Sequence, residues 1–269
     1  MDMEEDNQAV DLGPIATIDK LRKLNVGTLV PLPQLVAVGY ESSEKILVLE
    51  NITGFSFPCG VGLYDFCTTE ITCRPASELR ITISIIPRPN ADEQVKRQLL
   101  DFKHELPDVD GMNVVHIFKK AEVVMGIRMS EPDNMGNGRS AVSQDILKIE
   151  ICGPQQDILT VINIPDISRT AKPGITSDSD IALVNDMAKS YMNDRRTTIL
   201  AIAPSNVEFA TPEILKLTET ADPSGARTMV ILTKPDLATL ASRWEMFNVI
   251  LGKEKERDLK LGYHIVKNR

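Results

Sequence analysis

The sequence predicts an α/β fold, a three-layer sandwich in which a mainly parallel central sheet carries helices on both faces. From about residue 146 onward, short apolar runs alternate regularly with helical ones, the pattern of strands joined by crossover helices. Near the start, a buried apolar run at 35–38 leads into a glycine turn and then a helix. No internal repeat or long linker divides the chain, so one main domain is expected. Such sheets bind ligands at the carboxyl ends of their strands.

Each element is predicted from a local pattern. Residues 80–86 alternate apolar and polar side chains, as a half-buried strand does. The segment 212–221 opens with Thr-Pro-Glu, which supplies an N-cap, a proline at the first helical position and an early acid. The predicted strands are 35–38, 69–74, 80–86, 146–151, 159–164, 198–203, 228–232 and 263–266. The predicted helices are 14–25, one that starts near Lys45, 91–106, 114–129, 179–193, 212–221 and 242–251.

The first 30 residues are predicted to lie outside the main domain. Residues 1–13 are predicted to be disordered, and residues 14–30 to hold a helix. Its apolar residues recur at helical spacing, at Ile15, Ile18, Leu21 and Leu24. We expect this apolar face to be partly exposed. The main domain is predicted to cover residues 31–269 and to be truncated at its C-terminal end.

Composition and charge exclude several classes of function. The formal net charge of −8 argues against a general nucleic-acid or anionic-membrane surface. No apolar run approaches the roughly 20 residues of a membrane span, and the acidic start is not a signal peptide. The four cysteines (Cys59, Cys67, Cys73 and Cys152) form no CxxC pair, so we expect reduced structural thiols and a cytoplasmic protein.

The run from Gly39 to Ile46 reads Gly-Tyr-Glu-Ser-Ser-Glu-Lys-Ile. It lies between a predicted strand and a predicted helix, where a phosphate-binding P-loop has the pattern G-x-x-x-x-G-K-[ST]. The first glycine and Lys45 are present. Glu44 stands where the second glycine belongs, and Ile46 stands where the Mg²⁺-binding Ser or Thr belongs. This half motif predicts a P-loop NTPase-like fold.

A second motif, Thr233-Lys234-Pro235-Asp236, follows the strand 228–232 directly. In GTP-binding proteins such a T-K-x-D turn recognises guanine, because the carboxylate accepts from two base N–H groups and the lysine stem covers the base. The strand 263–266 then leads to Asn268 and Arg269, where another guanine-contacting loop belongs. Between the two motifs, Asn163 and Asp166 stand where a GTPase carries D-x-x-G.

Several stretches together resemble one family. They include Leu-Pro-Gln-Leu-Val-Ala-Val-Gly at 32–39, Val-Leu-Glu-Asn-Ile-Thr-Gly at 48–54 and Ile-Glu-Ile-Cys-Gly-Pro at 149–154. The clearest is Asp-Pro-Ser-Gly-Ala-Arg-Thr at 222–228, which runs into the T-K-P-D turn and is followed by Leu-Gly-Tyr-His at 261–264. Collinear over roughly residues 15–269, the chain resembles the GTPase domain of the dynamin superfamily, nearest its fungal dynamin-like and Mx-like members. The helix at 14–30 resembles part of that family's bundle signalling element.

The resemblance implies site residues. At the family's catalytic positions, Glu41 replaces the glutamine that orients water, Ser42 matches the serine that helps place a cation, and Asp65 replaces a Mg²⁺-binding threonine. Ile46, Asp65 and Asn163 occupy the family's Mg²⁺ positions, so no metal ligand is assigned. The implied nucleotide-binding residues are Gly39, Ser42, Ser43, Glu44, Lys45, Thr233, Lys234, Asp236, Asn268 and Arg269.

The substitutions weaken the phosphate end of this site. Four acids (Glu41, Glu44, Asp65 and Asp166) occupy positions that would face a triphosphate. Two unit charges 4 Å apart interact by about 4 kcal/mol at an effective dielectric constant near 20. Ile46 offers no oxygen to Mg²⁺, a cation that demands oxygen ligands. The guanine end is intact. We therefore expect weak GTP or GDP binding and doubtful Mg²⁺ binding.

Three hypotheses remain open. The chain is a dynamin-like guanine-nucleotide-binding domain with impaired GTP hydrolysis, a pseudo-GTPase that acts as a protein-interaction or dimerisation module, or an active GTPase with compensating residues. The resemblance also implies a homodimer through the nucleotide face. The resemblance implies a stalk and an effector region in full-length relatives, and we expect this chain to lack both. In a full-length relative the domain would lie in the cytoplasm or peripheral to an organelle membrane.

Overall fold

The computed structural model describes residues 13–24, 32–57, 63–107, 111–127, 140–168, 170–172, 175–206, 213–251 and 259–268. The chain divides into two compact units, Met1–Pro33 and Gln34–Arg269. In the first unit, helix α1 (Gly13–Lys23) begins one residue before its predicted start and ends well short of residue 30. Ile15 on its apolar face is 40% exposed, and Leu24, directly after the helix, is 73% exposed, which confirms the expected partial exposure. Residues 1–12, predicted to be disordered, lie outside the described residues.

The described part of the second unit contains nine strands in one sheet. They are β1 (Gln34–Gly39), β2 (Cys67–Pro75), β3 (Arg80–Ile86), β4 (Lys103–Leu106), β5 (Ser143–Gly153), β6 (Leu159–Asn163), β7 (Thr197–Pro204), β8 (Thr228–Thr233) and β9 (Tyr263–Ile265). The helices of this unit are α2 (Lys45–Thr53), α3 (Leu63–Phe66), α4 (Glu93–Leu100), α5 (Gly111–Val124), α6 (Asp178–Asn193), α7 (Glu213–Ala221) and α8 (Leu240–Ile250), with a 3₁₀ helix at Pro235–Leu237.

The strands lie in the order β4-β3-β5-β2-β6-β1-β7-β8-β9. Pairing is parallel from β6 through β1, β7 and β8 to β9, and between β2 and β5. It is antiparallel between β2 and β6 and around β3. The predicted mainly parallel sheet is therefore confirmed, with an antiparallel wing at one edge. The carboxyl ends of β1, β6 and β8 meet at one end of the sheet, because these strands run in the same direction.

Two apolar cores lie on opposite faces of the sheet. Along β1, Val36 and Val38 pack into one core with α6 and α7, whereas Ala37 packs into the other with α2 and α5. Successive side chains of a strand point to opposite faces, so this alternation gives one strand a place in both cores. The three-layer sandwich predicted from the sequence is the result.

Two predicted helices need correction. The helix predicted over 91–106 ends at Leu100, and residues 103–106 instead form β4, which pairs antiparallel with β3. The helix predicted over 114–129 runs over Gly111–Val124. The other predicted strands and helices are present with small shifts at their ends, although the N-cap predicted at Thr211 lies outside the described residues.

Within the described ranges, no helix combines the length and apolarity needed to cross a membrane. Cys67, Cys73 and Cys152 are free thiols, as expected, and Cys59 lies outside the described residues. Burial raises the pKa of Cys67 to about 12 and that of Cys73 to about 11, so both stay protonated and unreactive at neutral pH.

Candidate functional site

The loop between β1 and α2 lies at the carboxyl end of the sheet. Gly39 ends β1 with no room for a side chain, since a Cβ there would lie 2.6 Å from the Ser43 Oγ and 2.9 Å from the Ile202 carbonyl oxygen. The Ser43 amide donates to the Tyr40 carbonyl at 3.1 Å, which closes the turn. The first glycine of the motif is thus required by packing.

Glu44, which replaces the second glycine, adopts a left-handed backbone conformation with φ 61° and ψ 28°. This region disfavours residues other than glycine by roughly 1–2 kcal/mol, because the Cβ crowds the following carbonyl oxygen. Ser42 also has a positive φ, 65°. The loop therefore keeps a glycine-type conformation at position 44 although that residue is a glutamate. The Glu44 side chain makes no capping bond to α2.

Lys45 is the first residue of α2 and is only 2% exposed. Its Nζ donates to the Asn163 Oδ1 at 2.7 Å and to the Ile164 carbonyl oxygen, and it lies 3.0 Å from the Asp166 Oδ1. An ammonium group has three N–H donors. The predicted phosphate-binding lysine is therefore fully occupied by groups of the protein itself.

The segment after β6 is held beside β1. The Ile164 amide donates to the Ala37 carbonyl at 3.2 Å, and the Ile167 amide donates to the Gly39 carbonyl at 3.1 Å. These bonds lie on both sides of Asp166 in the chain. They fix its carboxylate next to Lys45.

Asp65, in the short helix α3, shares a small cavity of about 100 Å³ with Glu41, Asp166 and Lys172. Burial, followed by the charge of Asp166, raises the pKa of Asp65 to about 6, although Lys45 acts in the opposite direction. Glu41 is exposed and forms an ion pair with Lys172. Together with Asp180, four carboxylates thus line this cavity, and Lys172 is the lysine among its described lining residues.

The residues present do not fit the Mg²⁺ site that the family implies. Ile46 packs against the apolar core and supplies no oxygen. The Asn163 Oδ1 accepts from Lys45, and its buried Nδ2 has no hydrogen-bond partner among the residues that the structure describes. Thr68 and Thr69, the threonines nearest to Asp65 in the chain, are buried within β2. Among the described residues, no group of three or more His, Cys, Asp or Glu side chains could hold a metal ion.

The predicted guanine-reading residues lie beside the phosphate loop. The Thr233 hydroxyl donates to the Ser43 carbonyl at 2.8 Å, and the Lys234 Nζ donates to the Ser42 carbonyl at 2.8 Å. Lys234 itself has a left-handed backbone, φ 53°, which turns the chain into the 3₁₀ helix. Asp236 in that helix is exposed. Its carboxylate makes no bond to any residue that the structure describes.

Asn268 joins the two ends of the site. Its Nδ2 donates to the Glu44 Oε2 at 2.9 Å, and its Oδ1 accepts from the Asn51 Nδ2 at 3.2 Å. The Lys234 Nζ lies 4.0 Å from the Glu44 Oε1. The acid that replaced a glycine is therefore held by two residues of the predicted base-reading end.

The predicted site residues converge at this end of the sheet, except for Arg269, which lies outside the described residues. Two further residues belong to the site and were not predicted. Lys172 pairs with Glu41, and Asn51 orients Asn268. Neither carries a sequence signal, because Lys172 lies in a segment without a motif and Asn51 is a single polar residue within a helix.

Comparison with known proteins identifies the family. The model of the dynamin family matches residues 35–235, which is more than half of the chain. Similar proteins are interferon-induced GTP-binding proteins: Mx of Larimichthys crocea (30% identical over 258 residues), Mx2 of Homo sapiens (31% over 255) and Mx of Gallus gallus (28% over 253). The matches cover 95%, 95% and 94% of this chain but 36%, 32% and 32% of the relatives.

This chain therefore spans about a third of the length of these relatives. The matched region of the family model contains the phosphate loop, the segment after β6 and the start of the T-K-P-D turn. The geometry of the sheet and the collinear match agree on one conclusion: the chain belongs to the dynamin family.

Proposed function

We propose that this chain is a dynamin-type guanine-nucleotide-binding domain whose Mg²⁺-dependent GTP hydrolysis is impaired. Binding of guanine is supported by the position of the T-K-P-D turn, whose lysine and threonine both bond to the phosphate loop. The exposed Asp236 carboxylate is available to accept two N–H groups from a base. The names of the Mx relatives, GTP-binding proteins, agree with this proposal.

The single observation that supports impaired hydrolysis is the environment of Lys45. Its ammonium is engaged by Asn163, Ile164 and Asp166, so a triphosphate must compete with a fixed carboxylate for this cation. Phosphoryl transfer depends on positioning and on stabilisation of charge, and here the charged groups that surround the lysine are anionic. One carboxylate 4 Å from a phosphate charge opposes binding by about 4 kcal/mol at an effective dielectric constant near 20. That is two to three decades of affinity, because each 1.4 kcal/mol is about tenfold.

Calorimetry with GDP and ADP tests the binding half of the proposal. We expect GDP to bind at least tenfold more tightly than ADP, because only guanine offers the paired N–H groups to Asp236. Asp236→Asn should abolish this preference, whereas Asp157→Asn, an exposed acid at the opposite end of the sheet, should leave it unchanged. Equal affinity for GDP and ADP would exclude guanine recognition.

Repair of the loop tests the hydrolysis half. The variant Glu44→Gly/Ile46→Ser carries the family residues at two positions. We expect its affinity for GTP to rise at least tenfold over that of the natural sequence in the presence of Mg²⁺. Phosphate release by the unaltered protein that exceeds the level of a Lys45→Ala control and equals the rate of the repaired variant would refute the impairment.

One observation also favours a second candidate, a protein-interaction module that binds no nucleotide. Lys45 and Glu44 are already satisfied within the protein, so the loop needs no ligand to be stable. In that case calorimetry detects no heat with GDP or GTP. Sedimentation then shows whether the nucleotide face forms the homodimer that the family resemblance implies.

A further inference from the structure

We propose that Asp166 is a specificity-determining residue, whose carboxylate occupies the position of a γ-phosphate on Lys45 so that the site accepts GDP in preference to GTP. This inference rests on the proposed guanine-nucleotide binding and extends it. A P-loop lysine normally reaches the β- and γ-phosphates of the bound nucleotide. In this chain the same ammonium lies 3.0 Å from the Asp166 Oδ1.

Asp166 differs from the other two acceptors of Lys45. Asn163 is fully buried in β6 and Ile164 contributes only a backbone carbonyl, so both are neutral and fixed. Asp166 is charged, and its side chain is 23% exposed towards the cavity. The carboxylate therefore lies where an incoming anion would approach the lysine.

The segment that carries Asp166 is anchored. Backbone bonds from Ile164 to Ala37 and from Ile167 to Gly39 hold it against β1, and Tyr40 forms a parallel bridge with Ile167. A γ-phosphate can replace the carboxylate only if these bonds break or if the two anions share one cation. Both cost free energy, and GDP, which has no third phosphate, avoids that cost.

The charges around the cavity act in the same direction. Glu41 and Asp65 face it beside Asp166, while Lys172 is paired with Glu41. Asp180 also lines the cavity, so its described lining contains four carboxylates and one lysine that is already paired. The first turn of α2 is different, because the Glu44 side chain does not cap it. The amides of a helix's first turn have no partner within the helix, so they suit a phosphate closer to the nucleoside.

The test measures the affinities of GDP and GTP by calorimetry in EDTA for the natural chain and for Asp166→Asn, which removes the charge and keeps the shape. We expect the natural chain to bind GDP at least tenfold more tightly than GTP. In Asp166→Asn the ratio of the two affinities should fall to threefold or less, mainly through tighter GTP binding. Asp157→Asn is the matched control and should keep the natural ratio.

Nucleotide-free unfolding in urea gives an independent measurement. If Asp166 holds Lys45, Asp166→Asn lowers the unfolding midpoint in the natural background and lowers it much less in a Lys45→Met background. Equal shifts in the two backgrounds would show that the pair contributes nothing, and the inference would be wrong.

The outcomes separate the two proposals. If GDP and GTP both bind and their ratio does not respond to Asp166→Asn, the specificity inference fails while guanine binding stands. If neither nucleotide binds to the natural chain or to Asp166→Asn, the proposed function fails and the specificity inference fails with it. A preference for GDP that disappears only in Asp166→Asn supports both.

Discussion

Single residues decide the chemistry of this site, and Glu44 shows how. It replaces a glycine and keeps the left-handed backbone that the glycine would have. The loop therefore accepts local strain of roughly 1–2 kcal/mol in return for an unchanged path of the chain. Part of that strain is offset by the bond from the Asn268 Nδ2 to the Glu44 carboxylate, which is worth about 1 kcal/mol.

This account of Glu44 predicts the order of two variants. Glu44→Ala loses the carboxylate and keeps the strain, whereas Glu44→Gly loses the carboxylate and relieves the strain. We expect Glu44→Gly to be more stable than Glu44→Ala by about 1 kcal/mol in urea unfolding, and to lie within about 1 kcal/mol of the natural chain. If the alanine variant were the more stable of the two, the left-handed conformation would not be strained.

Asp65 makes stability depend on pH. Its pKa is about 6 in the folded protein against 3.8 for the ordinary carboxyl, because burial and the charge of Asp166 disfavour ionisation. The folded state thus binds the proton more tightly than the unfolded state. The stabilisation that follows is complete below pH 3.8 and is lost as the pH rises through about 6.

Asp65→Asn removes this ionisation, so it should be more stable than the natural chain by about 2–3 kcal/mol at pH 7. We expect the difference to shrink to about half at pH 5. Urea unfolding between pH 5 and 7.5 measures it, with Asp157→Asn as the control for a simple change of net charge. A difference that does not vary with pH would show that Asp65 is not the titrating group.

At the scale of elements, the Asp-Pro-Ser-Gly-Ala-Arg-Thr run at 222–228 forms a structural junction. Asp222 accepts bonds from the Arg227 amide at 2.9 Å and the Thr228 hydroxyl at 2.8 Å. The Arg227 guanidinium donates to four backbone carbonyls, those of Met192, Asp194, Thr197 and Ala221. It thereby ties the ends of α6 and α7 to the start of β7.

We expect Arg227→Met to lower the free energy of unfolding by about 3 kcal/mol, since partly buried carbonyls lose charged donors worth roughly 1.5–3 kcal/mol each before relaxation. Arg195→Met, at an exposed residue in the neighbouring turn, should change it by less than about 0.5 kcal/mol. Urea unfolding of both variants compares them directly. Similar small effects at the two positions would argue against the junction.

The strands β3 and β4 show which elements a local sequence pattern can predict and which it cannot. The alternation at Ile81, Ile83 and Ile85 predicted β3 with its correct bounds, because one face of that strand is buried and the other is not. β4 was missed, because its four residues, Lys-His-Glu-Leu, are compatible with helix and form a strand only through pairing with β3. Whether such a short edge segment becomes a strand depends on its pairing partner, and a local sequence pattern does not contain that information.

The same limit applies to the site. Motif spacing located the phosphate loop and the T-K-P-D turn, since each depends on one local turn after a strand. The partners of Lys45 and of Glu44 could not be predicted, because Asp166 and Asn268 are more than a hundred residues away from them in the chain. The resemblance implied that acids stand at these positions, and the structure shows which cations lie beside them.

At the scale of the whole molecule, charge opposes polyanionic ligands. The formal net charge is −8, and four of the acids that contribute to it line the cavity beside Asp166. Repulsion between a nucleotide and an acidic protein is screened by salt, because the Debye length shortens from about 30 Å at 0.01 M to about 8 Å at 0.15 M.

We therefore expect the association rate of a fluorescent GDP analogue, measured by stopped flow, to rise several-fold between 20 and 300 mM NaCl. A site built for phosphate with exposed cations would show the opposite trend, since salt weakens attraction between unlike charges. A rate that falls with salt would mean that the local cations, and not the carboxylates, govern the approach of the nucleotide.

The central claim is that the guanine-reading end of the site functions while its Mg²⁺-dependent phosphate chemistry does not. The most direct test is calorimetry of GTP in Mg²⁺ and in EDTA, with phosphate release followed in the same samples. The account predicts that affinity changes less than threefold when EDTA replaces Mg²⁺, and that no phosphate is released above the level of a Lys45→Ala control. GTP binding that tightens at least tenfold with Mg²⁺, accompanied by turnover that the control lacks, would contradict it.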